Sequence, residues 1–188
     1  GAGICFPTVA IQASSNMIVR NNIVHMNLTS SNVPAYESTC LSTGANYNWG
    51  TGGSNYNDFY VNPDPMDTSH FITLAGASSF TNGTEYKSLA SWQASTATPD
   101  LNSVSIFPVF ASSTDLHLPE ASNMSLLNLG TPISGITVDF DDQARHATTP
   151  DMGADEVTAP CALNVTSSAN SGAGSLRAAV ACAVDGNT

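Results

Sequence analysis

The densest group of side chains able to do chemistry in this sequence is acidic and lies between positions 139 and 156. Carboxylates from neighbouring loops supply the hard oxygen ligands that Ca²⁺ prefers, so this group predicts a calcium site. The alternative is that two of the carboxylates pair with Arg145 and fix a terminal loop, and we favour this ion pairing over calcium. A pair of carboxylates could also hydrolyse a glycosidic bond, which we rank below both. The predicted calcium ligands are Asp139, Asp141, Asp151 and Asp155, and the predicted partners of Arg145 are Asp151 and Asp155.

Four cysteines form the second chemically capable set, and they are Cys5, Cys40, Cys161 and Cys182. No pair has C-x-x-C spacing and no histidine completes a zinc knuckle, which argues against a metal role. An even number of cysteines in an Asn-rich chain with few charges favours two disulfides and an oxidising compartment. We expect local pairing, Cys5 with Cys40 and Cys161 with Cys182. The alternative is four buried thiols.

Aromatic residues in a Gly-rich and Asn-rich stretch form the third set. Tyr47, Trp49 and Tyr56 could stack on sugar rings as a glycan contact, or they could anchor a long loop to the body of the protein. The four histidines lie in separate segments, so we expect no metal or catalytic role for them. His25 and His117 alternate with apolar residues and are expected to face solvent.

The charge balance excludes several functions. The 188-residue chain carries a net charge of −11 and only four Lys and Arg residues. Four scattered cations cannot neutralise a phosphate backbone, which excludes nucleic-acid binding. The same scarcity disfavours a polysaccharide lyase, which needs a base and cations at one site. No stretch of 18 apolar residues is present, so no membrane insertion is expected.

The pattern of apolar residues predicts short strands around Gly, Asn and Pro turns. Two strands flank an Asn-Asn corner within residues 16–26, and others are expected at 58–61, 70–74, 103–107, 115–118 and 135–140. Residues 40–57 are expected to form an extended side loop, with a turn at 81–84. A helix is expected over 87–94, with Leu89 and Trp92 facing the body. Short strands separated by Asn corners are typical of a solenoid.

The C-terminal part of the chain changes in composition after Glu156. Residues 157–160 are expected to be a linker, and residues 161–188 a strand followed by a helix that begins at an N-cap, Ser175. A lone strand and helix cannot bury one apolar face, so this tail is expected to contact a neighbour. The apolar residues assigned to this contact are Leu163, Val165, Leu176, Ala179 and Val180.

Three stretches in order resemble a known family: residues 54–60, 84–93 and 100–110. With residues 115–118, 139–145 and the sequence PDMGADE at 150–156, they are similar to the closing coils of pectate-lyase-like right-handed parallel β-helices. Such coils occur in large bacterial surface proteins, notably those of the type IX export type. Residues 165–179 are similar to the start of a second β-helix. The resemblance implies an all-β solenoid with long side loops and one or two short helices.

These observations lead to one functional expectation and one alternative. We expect residues 1–156 to be the C-terminal coils of a β-helix, and residues 161–188 to open the next β-helix or dock on a neighbour. The whole would be a non-catalytic structural or adhesive segment of an extracellular or cell-surface filament protein, which self-associates through β-helix ends. The start of the sequence resembles the middle of a longer protein. The alternative is a carbohydrate-binding or polysaccharide-degrading module.

Overall fold

The structure, a computed structural model, describes ten stretches of the chain. They are residues 2–5, 17–26, 38–44, 49–62, 70–79, 82–95, 100–157, 165–170, 175–177 and 180. The chain divides into two compact units, Gly1–Glu156 and Val157–Thr188. The described residues contain short strands, short helices and long irregular loops.

All named strands and helices lie in the first unit. The strands are β1 Ala2–Cys5, β2 Met17–Arg20, β3 Ile23–Met26, β4 Ser38–Gly44, β5 Trp49–Asn55, β6 Asp58–Val61, β7 His70–Ser79 and β8 Asn82–Tyr86. The helices are α1 Leu89–Gln93 and α2 Glu120–Asn123. The predicted strands around the Asn-Asn corner and at 58–61 are therefore confirmed.

Successive passes of the chain place their strands side by side in parallel. The first pass supplies β1, β2 and β3, and the second pass lays β4, β5 and β6 beside them in the same order. β7 then continues the first sheet in parallel with β4. Paired residues are separated by about 32–37 positions, within the range of solenoid repeats. The right-handed β-helix stays a prediction, and this pairing is what such a fold requires.

A two-residue corner recurs between the second and third sheets. Asn21 joins β2 to β3, and Tyr56 joins β5 to β6, with φ of 55° and 56°. This left-handed conformation is uncommon for non-glycine residues and turns the chain sharply. The amide of Asn21 donates to the carbonyl of Tyr56 at 2.8 Å, so the two corners stack directly.

Polar side chains repeat at this corner from pass to pass. The backbone N–H of Asn22 donates to Oδ1 of Asn57 at 3.0 Å. One pass later, the N–H of Asn57 donates to Oγ of Ser103 at 2.9 Å. Asn57 also donates from Nδ2 to the carbonyl of Val19 at 2.9 Å. Each pass therefore satisfies the backbone of the pass before it, as buried polar groups require.

The apolar core lies between the strands and α1. Its buried members are Cys40, Leu41, Phe59, Ile72, Ala75, Leu89 and Trp92. Ser88 is the N-cap of α1, and its side chain accepts from the amide of Ser91 in a capping box. Leu89 and Trp92 face the core, three positions apart, so this part of the helix prediction is confirmed. Nε1 of Trp92 donates to the buried carboxylate of Asp100 at 2.8 Å.

The predicted side loop at 40–57 is wrong, because this stretch contains most of β4 and all of β5. Gly and Asn weaken a strand taken alone, but parallel partners on the adjacent pass supply its hydrogen bonds. The predicted turn at 81–84 is likewise mostly strand. β8 pairs antiparallel with β7 and so ends the first sheet with a reversed strand.

The predicted strands beyond residue 100 are also wrong. Between 103 and 107 only Val104 forms a bridge, parallel to Asp58, and residues 115–118 form no strand. At 135–140 a single antiparallel bridge joins Val138 to Ala144. The expected burial of apolar residues there is also wrong, since Ile136, Val138 and Phe140 are exposed while Asp139 is buried. Loops fixed by side-chain hydrogen bonds replace the expected strands.

The second unit is described only in part. Ser175 is buried and forms a parallel bridge with Ser167. Arg177 donates to the carbonyl of Asn170 at 3.1 Å. Most of the helix expected after Ser175, and the linker expected at 157–160 apart from Val157, lie outside the described residues.

Candidate functional site

A histidine between two carboxylates is the centre of the candidate site. Nε2 of His117 lies 2.6 Å from Oδ2 of Asp141. Nδ1 of the same ring contacts Oδ1 of Asp115. The imidazole therefore joins the loop at 111–118 to the loop that carries Asp141.

Local backbone bonds shape the loop that presents His117. The amide of Ala111 donates to the carbonyl of His117 at 2.9 Å, and the amide of Ser112 donates to the carbonyl of Asp115 at 3.0 Å. Oδ1 of Asp115 also accepts from the backbone amide of His117, which is a local turn typical of Asp. The buried side chain of Leu118 anchors the end of the loop.

A third carboxylate completes the cluster. Oδ2 of Asp155 accepts from the amide of Leu118 at 2.7 Å, which brings the 151–157 loop beside the histidine. Ligand atoms of His117, Asp141 and Asp155 all lie within 4.8 Å of one another. These groups line an open cavity of about 570 Å³, whose apolar wall includes Leu116 and Phe140. Three separate loops therefore meet at one polar point.

The electrostatics of this cluster favour a charged imidazole. Hydrogen bonds to Asp115 and then Asp141, followed by their negative charges, raise the pKa of His117 to about 9. The same hydrogen bond to His117 lowers the pKa of Asp115. At neutral pH the cluster therefore contains an imidazolium held between two carboxylates.

We expect the imidazole of His117 to titrate with a pKa of about 9 in the folded protein. Asp141→Asn removes one negative acceptor, so it should lower this pKa towards 6.5. The titration is measured by NMR of the labelled histidine rings. His25 is the internal control, because burial lowers its pKa and its neighbours are aromatic. A His117 pKa near 6.5, or one unaffected by Asp141→Asn, would contradict the geometry.

The four predicted calcium ligands separate into two pairs in the structure. Asp141 and Asp155 belong to the histidine cluster. Asp139 instead accepts from the amides of Asp141 and Gln143 with Oδ1, both at 2.8 Å, and from the amide of Glu156 with Oδ2. Asp151 accepts from the amide of Asn128. Asp139 and Asp151 therefore hold backbone loops closed.

Arg145 does fix the terminal loop, but through other partners than those predicted. Its guanidinium lies 3.4 Å from the carboxylate of Glu156. It also donates to the backbone carbonyls of Asp151 and Gly153, at 3.1 and 2.8 Å. Glu156 is the residue that the sequence reasoning missed here, although the acidic motif around it was the correct signal.

His117 was expected to face solvent without a metal or catalytic role, and its side chain is 50% exposed. Sequence reasoning missed its position among three carboxylates. One local signal was available, since Asp115 precedes it by two residues and such spacing lets the carboxylate reach the ring. Asp141 and Asp155 lie far along the chain, and no pattern of spacing would identify them.

Cys40 is a buried free thiol, so the predicted Cys5–Cys40 disulfide is not formed. The strand register places Ser42, not Cys40, beside Cys5. The Cys40 sulfur lies 3.6 Å from the carbonyl of Val24, and burial raises the pKa of this thiol to about 12. The side chain of Cys5, together with Cys161 and Cys182, lies outside the described residues.

The predicted aromatic contact is described only at Tyr56, which is half-buried at its corner. Tyr47 and the side chain of Trp49 lie outside the described residues. A different aromatic group surrounds His25. The His25 ring centroid lies 5.6 Å from that of Tyr60 and 5.2 Å from that of Phe107, and it stacks on Phe110 at 6.2 Å. His25 is thus half-buried instead of freely solvated.

Three of the five apolar residues assigned to the tail contact are described, and all are exposed. The exposed fractions are 51% for Val165, 64% for Leu176 and 54% for Val180. Leu163 and Ala179 lie outside the described residues. The tail therefore presents apolar side chains to solvent.

No family model, curated protein or solved structure matches this chain. Among the described residues, no helix is long and apolar enough to cross a membrane.

Proposed function

We propose that this chain is a non-catalytic structural or adhesive segment of an extracellular surface or filament protein. Its body would be coils of a right-handed parallel β-helix that assembles through its ends. The observation that carries the proposal is the parallel pairing of successive passes in three sheets. The resemblance of the sequence to bacterial surface β-helices points to the same role.

Stacked passes suit a mechanical role, because each pass supports the next along one axis. The corner network at Asn22, Asn57 and Ser103 adds hydrogen bonds between passes to the contacts of the apolar core. A rigid rod is useful in a surface polymer.

The two ends of the stack differ in their capacity to accept another strand. At one end, the antiparallel β8 covers β7, and the segment at 100–106 covers β6 through Val104. At the other end, β1 pairs only with β4 among the described strands. A strand edge with unpaired N–H and C=O groups is a template for another coil. We therefore assign assembly to the end that carries β1.

The exposed tail residues supply the second contact. Leu176 and Val180 are more than half exposed, and both are apolar. Burying such side chains in an interface contributes about 1.5–3 kcal/mol each. Self-association or docking on a neighbouring β-helix would remove them from water.

We expect the double variant Leu176→Glu and Val180→Glu to assemble only at a protein concentration about 100-fold higher than the parent needs. The reason is that it places two charges where apolar side chains must be buried. The measurement is light scattering after size exclusion over a concentration series, with electron microscopy of the same samples. The parent protein should form oligomers or filaments.

The matched control is Leu101→Glu with Met124→Glu, two equally exposed apolar residues of the first unit. This control should assemble as the parent does. An equal loss of assembly in both double variants would show that the tail is not part of the interface. A parent that stays monomeric at every concentration would contradict assembly altogether.

The second candidate function is glycan binding, favoured by the aromatic group around His25. Phe107 is 48% exposed, and its ring lies 5.3 Å from that of Tyr60 at a steep angle. Exposed aromatic faces suit the C–H surfaces of sugars. Monomers in every sample of the assembly experiment would favour this candidate.

A further inference from the structure

We propose that His117, Asp141 and Asp155 form a binding site for a divalent first-row transition metal such as zinc. The site shares no residue with the assembly surfaces proposed above. It differs from the calcium site that the acidic sequence suggested, because one of its three ligands is a nitrogen.

The donor set favours a transition metal over Ca²⁺ and Mg²⁺. Ca²⁺ and Mg²⁺ are bound by oxygen ligands, and an imidazole in their first shell is uncommon. Imidazole nitrogen with carboxylate oxygen suits Zn²⁺, which takes His nitrogen at about 2.0–2.1 Å and carboxylate oxygen at about 2.0–2.2 Å. His117 supplies the nitrogen, while Asp141 and Asp155 supply the oxygens within the same 4.8 Å span.

Asp115 fits the role of an outer carboxylate. It contacts Nδ1 of His117, the ring nitrogen opposite the one that faces Asp141. Histidines that bind metals usually donate their other N–H to a carboxylate, which fixes the tautomer and the ring orientation. The same residue also accepts from the backbone of His117, so the ring and its supporting carboxylate are held together.

The geometry needs only a small adjustment to admit an ion. Nε2 and the Asp141 oxygen are 2.6 Å apart, whereas two ligands of a tetrahedral zinc ion are separated by about 3.4 Å. Both side chains are partly exposed, at 50% and 34%, so they can separate without disturbing the core. Asp155 is held by the amide of Leu118 through one oxygen.

Three protein ligands at an open cavity leave the fourth tetrahedral position to water or to a group on another molecule. The bound ion would join the loops at 111–118, 139–145 and 151–157 more firmly than hydrogen bonds do. Zinc should therefore stabilise the fold as well as bind to it.

The test measures zinc binding by titration calorimetry and by metal content after dialysis, using the whole chain. His117→Ala, Asp141→Asn and Asp155→Asn should each weaken zinc binding at this site at least 10-fold and remove one zinc per chain. Asp115→Asn should weaken it about 10-fold. The matched control is Asp142→Asn, which changes an exposed carboxylate next to Asp141 and should bind zinc as the parent does. All variants keep the four cysteines, so zinc bound by thiols is the same in each and the difference between variants reports on this site alone.

A spectroscopic readout completes the test. X-ray absorption of the zinc-loaded parent should show one imidazole nitrogen at about 2.0–2.1 Å, and this ligand should disappear in His117→Ala. If His117→Ala does not fold, zinc binding by Asp141→Asn is the test. Asn keeps a hydrogen-bond acceptor for His117, so this variant is expected to fold. Unchanged zinc binding in Asp141→Asn, or equal competition by Ca²⁺, would overturn the proposal.

Discussion

The Asp58→Asn variant is expected to lose a pH dependence of stability that the parent protein shows between about pH 4 and pH 8. Asp58 is fully buried at the start of β6. Its Oδ1 accepts from the amide of Ile106 at 2.9 Å, while Oδ2 is buried and has no hydrogen-bond partner among the described residues. Burial therefore raises the pKa of Asp58 to about 7.

The direction of the effect follows from proton binding. In the unfolded chain the carboxyl group loses its proton near pH 3.9, whereas in the folded protein it keeps the proton up to about pH 7. Across this window the folded state binds more protons, so the free energy of unfolding falls as the pH rises. The pKa difference corresponds to a loss of about 4 kcal/mol.

Urea unfolding of the parent and of Asp58→Asn at several pH values measures this loss. The difference between their free energies of unfolding should change by about 4 kcal/mol from pH 4 to pH 8, in favour of the variant at high pH. Other groups that titrate, including His117, are common to both proteins and cancel. Parallel pH curves would contradict the prediction.

The second large effect is expected at Asn57, where Asn57→Ala should lower the free energy of unfolding by about 3–5 kcal/mol. Asn57 is fully buried. Its side chain accepts from the amide of Asn22 and donates to the carbonyl of Val19, at 3.0 and 2.9 Å. Alanine would leave both backbone groups without their partner between two passes, and buried groups in that state are costly.

Chemical unfolding at constant pH measures the effect of Asn57→Ala. The control is Asn102→Ala, which removes an exposed amide near the same corner and should change stability by less than about 0.5 kcal/mol. A loss below about 1 kcal/mol in Asn57→Ala would show that the corner network is not central to the fold.

Local signals in the sequence predicted some elements correctly. Asn21 and Asn22 between two short apolar runs indicated the corner between β2 and β3, because Asn tolerates the left-handed backbone found there. Leu89 and Trp92 indicated α1, since three-residue spacing places both on one face. In both cases the neighbours along the chain decide the structure.

Other features depend on residues far away in sequence, and these were missed. β4 and β5 contain Gly, Ser and Asn, and they form strands because another pass lies beside them. Asp139 is buried and Phe140 exposed, since three backbone amides need the carboxylate inside. His117 meets Asp141 and Asp155 only after three loops close on one another. Spacing along the chain contains none of this information.

The two-residue corner also keeps the pairing of β3 with β6 independent of the lengths of the other connections. Residues 20 and 23 enclose the corner of the first pass, and residues 55 and 58 enclose the corner of the second, so both corners have the same length. The first sheet keeps a different offset, with Ile4 beside Leu41 while Ile23 lies beside Asp58. Two passes whose connections differ in length therefore still pair residue for residue at the corner. A residue added to the connection from β1 to β2 would leave the register of β3 on β6 unchanged, whereas a single residue added at the corner would shift β3 against β6.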